Sequence, residues 1–146
     1  MPFIPLIYPL KNTSFSLVIP SDNIEASGSF DIIYNYEQLD DSDLYEFNPY
    51  AAYLYGDNAY THLVNANVLC DKQILIIKDS FANSIIPFLS LGIVTINFID
   101  LRHYTESLHD FLEQNEYHYD LVIILYTSHT FGEIDYHSHT SLWDFR

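Results

Sequence analysis

A serine at position 80 stands where an apolar segment of strand length gives way to a polar stretch. Residues 73–77 (QILII) form a continuous apolar run typical of a buried strand, and Lys78, Asp79 and Ser80 follow it directly. A serine between a buried parallel strand and a helix has its hydroxyl at the sheet edge where ligands bind. The N–H groups that begin the helix, together with Asn83, are candidate donors to an oxyanion. The pattern therefore makes Ser80 a candidate nucleophile and Asn83 a candidate oxyanion donor.

A structural interpretation of the same residues stays open. Asp, Ser and Asn are the residue types that most often cap helices, so Asp79, Ser80 or Asn83 could serve only as a cap. The Asp-Ser pair on its own is a weak motif. On pattern alone, capping is the interpretation that the residues favour.

A second group of residues with catalytic or ligating side chains lies near the end of the chain. Asp135, His137 and His139 occupy alternate positions, and Trp143 follows them. An Asp and a His close together can activate a serine, which makes Asp135 and His137 candidates for that role. His137 and His139 would share one face of an extended strand, so a metal site is a second interpretation. A tail without a function of its own is the third interpretation and the one we favour.

The elements that would position Ser80 are predicted from hydrophobic periodicity. Three apolar runs of strand length alternate with two segments of helical spacing, at 73–77, 83–91, 93–99, 104–115 and 120–126. Strands that are apolar throughout need cover on both faces, which indicates a parallel sheet with crossover helices. The sequence therefore predicts an α/β fold over residues about 73–126, with a flavodoxin-like parallel sheet and flanking helices.

The segment before this core has a different texture. Short β-like runs separated by turn residues make it β-rich, and 51–55 with 60–64 is predicted to form a hairpin around residues 56–59. We expect a single domain over 1–146. Its parts are a β-rich part, a β-α-β-α-β core and a tail, at 1–67, 68–126 and 127–146.

Composition and charge restrict the classes of partner. Five Lys and Arg against 20 Asp and Glu give a formal charge of −15, so nucleic acid is not an expected partner. We expect no membrane insertion by this segment, because no apolar stretch approaches the roughly 20 residues of a spanning helix. Cys70 is the only cysteine, which excludes an internal disulfide and a thiolate zinc site. We expect Cys70 to be a small core residue.

The run ILIIKDSFANSIIPFLSLGIVTINFIDLRHY resembles the nucleophile block of the DHHW family, which is similar to SGNH-hydrolase-like alginate O-acetyltransferase accessory proteins. The upstream segments TSFSLVIPSDNIEASGSF and YLYGDNAYTHLVN also resemble that family, so the likeness extends over roughly 12–126. It implies the C-terminal portion of a larger SGNH-like domain with Ser80 as the nucleophile. It also implies a serine esterase or O-acetyltransferase that modifies polysaccharide at the cell surface. The implied partners are a polysaccharide or an acyl-donor protein, and no cofactor is expected.

The sequence departs from the family pattern in one respect. In these relatives the activating Asp and His belong to an Asp-x-His motif far upstream of the serine, and no such motif occurs between Met1 and Asp79. His62 is the only histidine in that span. A serine hydroxyl without a base in reach is a poor nucleophile, so we expect this chain by itself to be inactive. The alternative function is a non-catalytic carbohydrate- or protein-binding module that retains the fold.

Overall fold

The computed structural model describes residues 6–39, 49–114, 118–128 and 130. Six strands occur in these residues: β1 Phe15–Ile19, β2 Ile24–Gly28, β3 Tyr60–Asn65, β4 Gln73–Lys78, β5 Thr95–Asp100 and β6 Leu121–Leu125. The α-helices are α1 Ile86–Leu89 and α2 Leu108–Gln114. Short 3₁₀ helices span Pro20–Asp22, Phe30–Ile33, Tyr36–Leu39, Pro49–Ala52 and Ser80–Ser84.

The strands form one mixed sheet in the order β2-β1-β3-β5-β4-β6. β4 lies between β5 and β6 and is parallel to both, with Leu75 opposite Asn97 on one side and Val122 on the other. The pairs β1–β2, β1–β3 and β3–β5 are antiparallel. The fold is therefore mixed α/β with a mostly antiparallel sheet. Parallel pairing is confined to the three strands after residue 72, and the more specific flavodoxin-like or SGNH-like arrangement stays a prediction.

The two crossover segments lie on opposite faces of the sheet. Ile74 and Ile76 pack in one core cluster with Ile86 of α1. Leu75 and Ile77 point to the other face and pack with Phe111 of α2. Because neighbouring residues of a strand face opposite sides, an uninterrupted apolar run in β4 fills both clusters. The chain therefore leaves the ends of β4 and β5 in opposite directions, and a crevice for ligands is expected between those ends.

The predicted hairpin of 51–55 with 60–64 is wrong. Pro49–Ala52 is a 3₁₀ helix, and Tyr53 makes only an isolated antiparallel bridge to Tyr34. β3 pairs instead with β1 and β5, so both of its edges are occupied by strands distant in sequence. The hairpin that does form joins β1 and β2 through the turn at 20–23, where Asn23 adopts φ 53°.

The helices are shorter than the periodicity predicts. The residues after Ser80 first form a 3₁₀ turn, and Pro87 lies in the first turn of α1, as expected for a residue that lacks an N–H donor. Ser107 precedes α2, and its Oγ accepts a hydrogen bond from Asp110 N at 3.4 Å, which fixes a later start than residue 104. The division of the chain into 1–67, 68–126 and 127–146 stays a prediction.

Three further features concern the surface of the described residues. Cys70 is exposed, so its expected core position is wrong. None of the helices in these residues has the length and apolar character required to cross a membrane. In β6, Leu121, Val122 and Ile124 are each about half exposed although the strand is apolar throughout. Within the described residues β6 pairs on one side only.

We expect Phe98→Ala to destabilise the protein strongly, because the Phe98 ring is fully buried in the cluster on the α1 face. Large-to-small changes of this kind typically lower the free energy of unfolding by about 3–5 kcal/mol. Phe81→Ala removes the same side chain from a position that is 63% exposed and serves as the matched control. Urea denaturation followed by circular dichroism measures both, and equal losses would contradict this description of the core.

Candidate active site at the ends of two parallel strands

Ser80 lies immediately beyond β4, the middle strand of the parallel part of the sheet. β4 ends at Lys78, Asp79 follows in extended conformation, and Ser80 begins the 3₁₀ turn Ser80–Ser84. The residue is half-buried, and within the described part of the chain its hydroxyl forms no hydrogen bond with another side chain. The predicted strand at 73–77 is confirmed, and Ser80 is not enclosed in the core. Its nucleophilic role stays a prediction.

Asp79 caps the turn that carries Ser80. One carboxylate oxygen accepts a hydrogen bond from Phe81 N at 3.1 Å, and the other accepts one from Thr127 N at 2.7 Å. Burial would raise the pKa of Asp79, but hydrogen bonds from Thr127, Thr130 and Phe81 outweigh it and lower the pKa. Asp79 therefore joins the turn to the segment after β6. The capping interpretation is confirmed for Asp79, so the Ser80 hydroxyl is not the cap of this turn.

Asn83 is buried and anchors the same turn to a loop before β3. Its Nδ2 donates to the Gly56 carbonyl oxygen at 3.1 Å and to Asp57 Oδ1 at 2.9 Å. Since an amide nitrogen carries two hydrogens, both are engaged. Its Oδ1 is buried and accepts no hydrogen bond from the described residues. The structure therefore places Asn83 as an anchor, and its predicted donation to an oxyanion would require one of these two bonds to be exchanged.

A cluster of four charged side chains, two of them buried and two exposed, lies at the ends of β4 and β5. Lys78 and Asp100, which are opposite each other in the strand register, are both fully buried, and Lys78 Nζ lies 3.4 Å from Asp100 Oδ2. Lys78 Nζ is also 3.6 Å from Asp57 Oδ1. Arg102 donates from Nε to Asp100 Oδ1 and from Nη2 to Asp57 Oδ2, each at 2.9 Å. Two carboxylates and two cations thus balance one another beside Ser80.

The pKa shifts in this cluster follow from burial and pairing. Burial lowers the pKa of Lys78, although Asp100 and Asp57 act in the opposite direction. Burial would raise the pKa of Asp100, but hydrogen bonds from Arg102 and the charge of Lys78 outweigh it and lower the pKa. Hydrogen bonding to Asp100 raises the pKa of Arg102. The carboxylate of Asp100 is therefore ionised at neutral pH and Arg102 is charged.

A left-handed turn presents Asp57 to this cluster. Leu54, Tyr55 and Gly56 have φ values of 54°, 61° and 89° in succession. Such values are uncommon for residues with side chains, so the surrounding contacts must hold the turn. Leu54 N donates to the Ile33 carbonyl oxygen at 2.9 Å, and Leu54 itself is fully buried. The turn replaces the predicted hairpin and brings the 56–57 segment to Asn83 and Lys78.

The sequence interpretation missed most of this cluster. A lysine at a strand end often extends to solvent, but the structure buries Lys78. Arg102 pairs with Asp100, which is two positions before it in the chain. The participation of Asp57 was not predicted, because it lies 45 residues from Arg102 and no local pattern connects them. One signal in the sequence could have indicated the buried ion pair. Lys78 ends an otherwise apolar strand, and Asp100 ends the next strand of the same type.

None of the described histidines forms a hydrogen bond with Ser80. His62 belongs to β3, and its Nδ1 donates to Asn97 Oδ1 at 2.6 Å on the sheet face opposite Asp100. A ligand atom of His103 lies within 4.8 Å of those of Asp57 and Asp100, but Lys78 and Arg102 already neutralise these carboxylates, which disfavours a cation there. The remaining candidates, at 135, 137 and 139, lie outside the described residues.

We expect Asp100→Asn to lower the free energy of unfolding by about 3–5 kcal/mol at neutral pH, because it leaves Lys78 buried with one carboxylate fewer. A carboxylate with a lowered pKa stabilises the fold above its ordinary value of about 3.9 and loses this effect as the pH falls further. The difference from the parent protein should therefore shrink in acid. Urea denaturation at pH 7 and at pH 3 measures it.

The matched control for that change is Lys72→Ala. Lys72 Nζ lies 2.6 Å from Asp120 Oδ1 on the surface, and exposed pairs of this kind contribute little to stability. Two results would contradict the role given to the charged cluster. One is an unfolding free energy that is as low for Lys72→Ala as for Asp100→Asn. The other is a destabilisation by Asp100→Asn that is as large at pH 3 as at pH 7.

Comparison with solved structures finds proteins with a similar fold. PatB1 from Bacillus cereus, in a structure with a sulfonyl adduct, is 25% identical with a TM-score of 0.58 over 80% of this chain and 38% of that chain. A second PatB1 structure gives 25% identity and a TM-score of 0.56 over 80% and 36%. A DHHW family protein from Eubacterium siraeum is 20% identical, with a TM-score of 0.54 over 82% and 37%. The chain thus spans somewhat over a third of the length of these structures.

No curated protein matches the chain. The sequence profile described as DHHW protein matches residues 22–99, more than half of the 146 residues, and the match includes β4, Ser80 and Asp57. This protein belongs to the DHHW family.

Proposed function

We propose that Ser80 is the nucleophile of an SGNH-like serine acyl-transfer centre, of the esterase or O-acetyltransferase type, that modifies a cell-surface polysaccharide. The observation that carries the proposal is the position of this half-buried serine directly beyond the central parallel strand β4, where the two crossovers leave toward opposite faces of the sheet. DHHW family membership supports the assignment of Ser80 within that site.

The proposed reaction is a two-step transfer. Ser80 Oγ attacks the carbonyl carbon of an acyl ester while a base accepts the hydroxyl proton. Collapse of the tetrahedral intermediate expels the donor's oxygen with a proton and leaves an acyl group on Ser80. Water then releases the acid in an esterase, or a sugar hydroxyl takes the acyl group in a transferase. Asp79 and Asn83 hold the turn that carries Ser80 through their bonds to Thr127 and Gly56.

Chemistry known for a similar protein supports the proposal. PatB1 has been captured with a sulfonyl adduct. Sulfonyl reagents form covalent adducts with nucleophilic side chains, and an activated serine is a common site for them. We extend this reactivity to Ser80 as part of the proposal, because the two proteins share this part of the fold at 25% identity.

We further propose that the part of the chain that the structure describes lacks the base that the reaction needs. His62 is the only histidine before Ser80, and its Nδ1 is directed to Asn97 on the other face of the sheet. Asp135 and His137 stay candidates outside the described residues. A serine without a positioned base loses most of the rate acceleration of a triad, so the described residues supply only the nucleophile of the proposed centre.

The alternative function is a non-catalytic carbohydrate- or protein-binding module that keeps the fold. The observation that favours it is the same engagement of His62, which leaves Ser80 without a histidine partner among the described residues.

We expect a fluorophosphonate probe to label Ser80 slowly, and free imidazole to raise the labelling rate about threefold or more, because it substitutes for the missing base. Intact-mass spectrometry and peptide mapping follow the reaction. Ser80→Ala should abolish the labelled peptide. Ser84→Ala, which removes a serine of the same 3₁₀ turn, is the matched control and should label like the parent protein. Labelling that survives Ser80→Ala would contradict the assignment of the nucleophile.

We expect this chain to hydrolyse p-nitrophenyl acetate no faster than its Ser80→Ala version, because the acyl-enzyme cannot form efficiently without a base. Initial rates at pH 7 to 9 measure this. Turnover that depends on Ser80 would show that a base is present and would exclude the binding-module alternative.

A further inference from the structure

A cavity of about 350 Å³ opens at the same edge of the sheet as Ser80. Its walls come from residues 20–21 after β1, 59–60 at the start of β3, 103–106 after β5, and the α2 helix. Because β1 and β5 run in one direction and β3 in the other, these segments all meet at the edge where β4 ends. The volume is at the lower end of the roughly 300–1,000 Å³ typical of small-molecule sites.

One wall of the cavity is aromatic. The rings of Tyr60 and Phe111 lie with centroids 5.3 Å apart, and those of Tyr104 and Phe111 lie 5.9 Å apart and nearly perpendicular. The Phe111 side chain is buried in the cluster beneath α2, so this wall is fixed to the core. The face of an aromatic ring carries partial negative charge and attracts C–H groups that are polarised by neighbouring oxygen atoms.

The polar groups of the cavity surround this wall. Tyr104 donates from its hydroxyl to Glu106 Oε2 at 3.2 Å, and burial together with the charge of Glu106 raises the pKa of Tyr104 to about 12. His103, Glu106 and Gln114 are exposed and line the opening, where they offer both donors and acceptors. An aromatic wall with a rim of hydrogen-bonding groups matches the two sides of a pyranose ring, which has an apolar C–H face and polar hydroxyl edges.

The charge of the site selects among sugars. Glu106 lies in the cavity wall, and the chain carries a formal charge of −15. Arg102, which immediately precedes the cavity residue His103, already donates hydrogen bonds to Asp57 and Asp100. Uronates and other anionic sugars would therefore meet a repulsive potential, whereas a neutral sugar would not.

We propose that this cavity binds one neutral pyranose unit of a polysaccharide through Tyr60, Tyr104 and Phe111. The end of β4 is one strand beyond that of β5, about 4.8 Å across the sheet, so a sugar in the cavity can direct a neighbouring unit toward Ser80. That relation to Ser80 rests on the proposed function, whereas binding in the cavity does not.

Titrations with three trisaccharides test the proposal. Cellotriose and chitotriose present neutral units, and a mannuronate trisaccharide presents anionic ones. We expect the neutral sugars to shift the amide resonances of residues 103–106 in ¹H–¹⁵N spectra and the mannuronate trisaccharide to leave them unchanged. Ser80→Ala should bind as the parent protein does, so a failure of binding is distinguished from a failure of the reaction proposed for Ser80.

Variants assign the binding to the cavity. Tyr104→Ala removes part of the aromatic wall and should weaken binding at least about fivefold, an effect of the size measured for single aromatic contacts. Gln114→Ala changes only the exposed rim and should weaken binding without loss of structure, which guards against a Tyr104→Ala protein that does not fold. Tyr36→Ala removes an exposed tyrosine on the opposite face of the sheet and should bind normally.

Three results would overturn the proposal. They are the absence of shifts at 103–106 with either neutral sugar, binding of the mannuronate trisaccharide as tight as that of cellotriose, and equal weakening by Tyr36→Ala and by both cavity variants. None of these outcomes bears on fluorophosphonate labelling of Ser80, which is measured separately.

Discussion

The carboxylate of Asp100 is the group on which this region of the molecule depends. It is fully buried at the end of β5, where an unpaired carboxylate would be very unfavourable. The chain satisfies it with Arg102 from the same loop and with Lys78 from the neighbouring strand. Since Lys78 is itself fully buried, it requires a second acid, which the left-handed turn before Asp57 supplies. One buried charge thus fixes two strand ends and a distant loop in a single arrangement.

That arrangement supports the backbone of Ser80, whose hydroxyl has no hydrogen-bond partner among the described residues. The Asp79 carboxylate accepts hydrogen bonds from the turn and from Thr127, and the Asn83 amide donates both of its hydrogens to the 56–57 loop. The polar groups nearest to Ser80 in sequence therefore serve to hold its backbone. In the proposed reaction, these contacts would hold Ser80 in a preorganised position.

The sequence predicted the elements that depend on neighbouring residues, and it did not predict the contacts between residues that are distant in the chain. The apolar runs correctly predicted the strands β4, β5 and β6, and the position of Ser80 directly after the first of these runs correctly predicted its place beyond β4. The hairpin prediction failed because the partners of β3 are β1 and β5, which no short-range pattern reveals. The burial of Lys78 escaped prediction for the same reason, since its two carboxylate partners are 21 and 22 positions away.

The exposed apolar side chains of β6 have a consequence for the behaviour of the protein in solution. An apolar strand with an open hydrogen-bonding edge, as β6 is within the described residues, is a template on which another copy can add a strand. Long-range repulsion between copies that each carry a formal charge of −15 opposes this encounter. Acid removes the repulsion by protonating carboxylates, and added salt screens it. The exposed apolar strand β6 favours self-association, and charge repulsion opposes it. We therefore expect neutral buffers of low ionic strength to keep the chains apart.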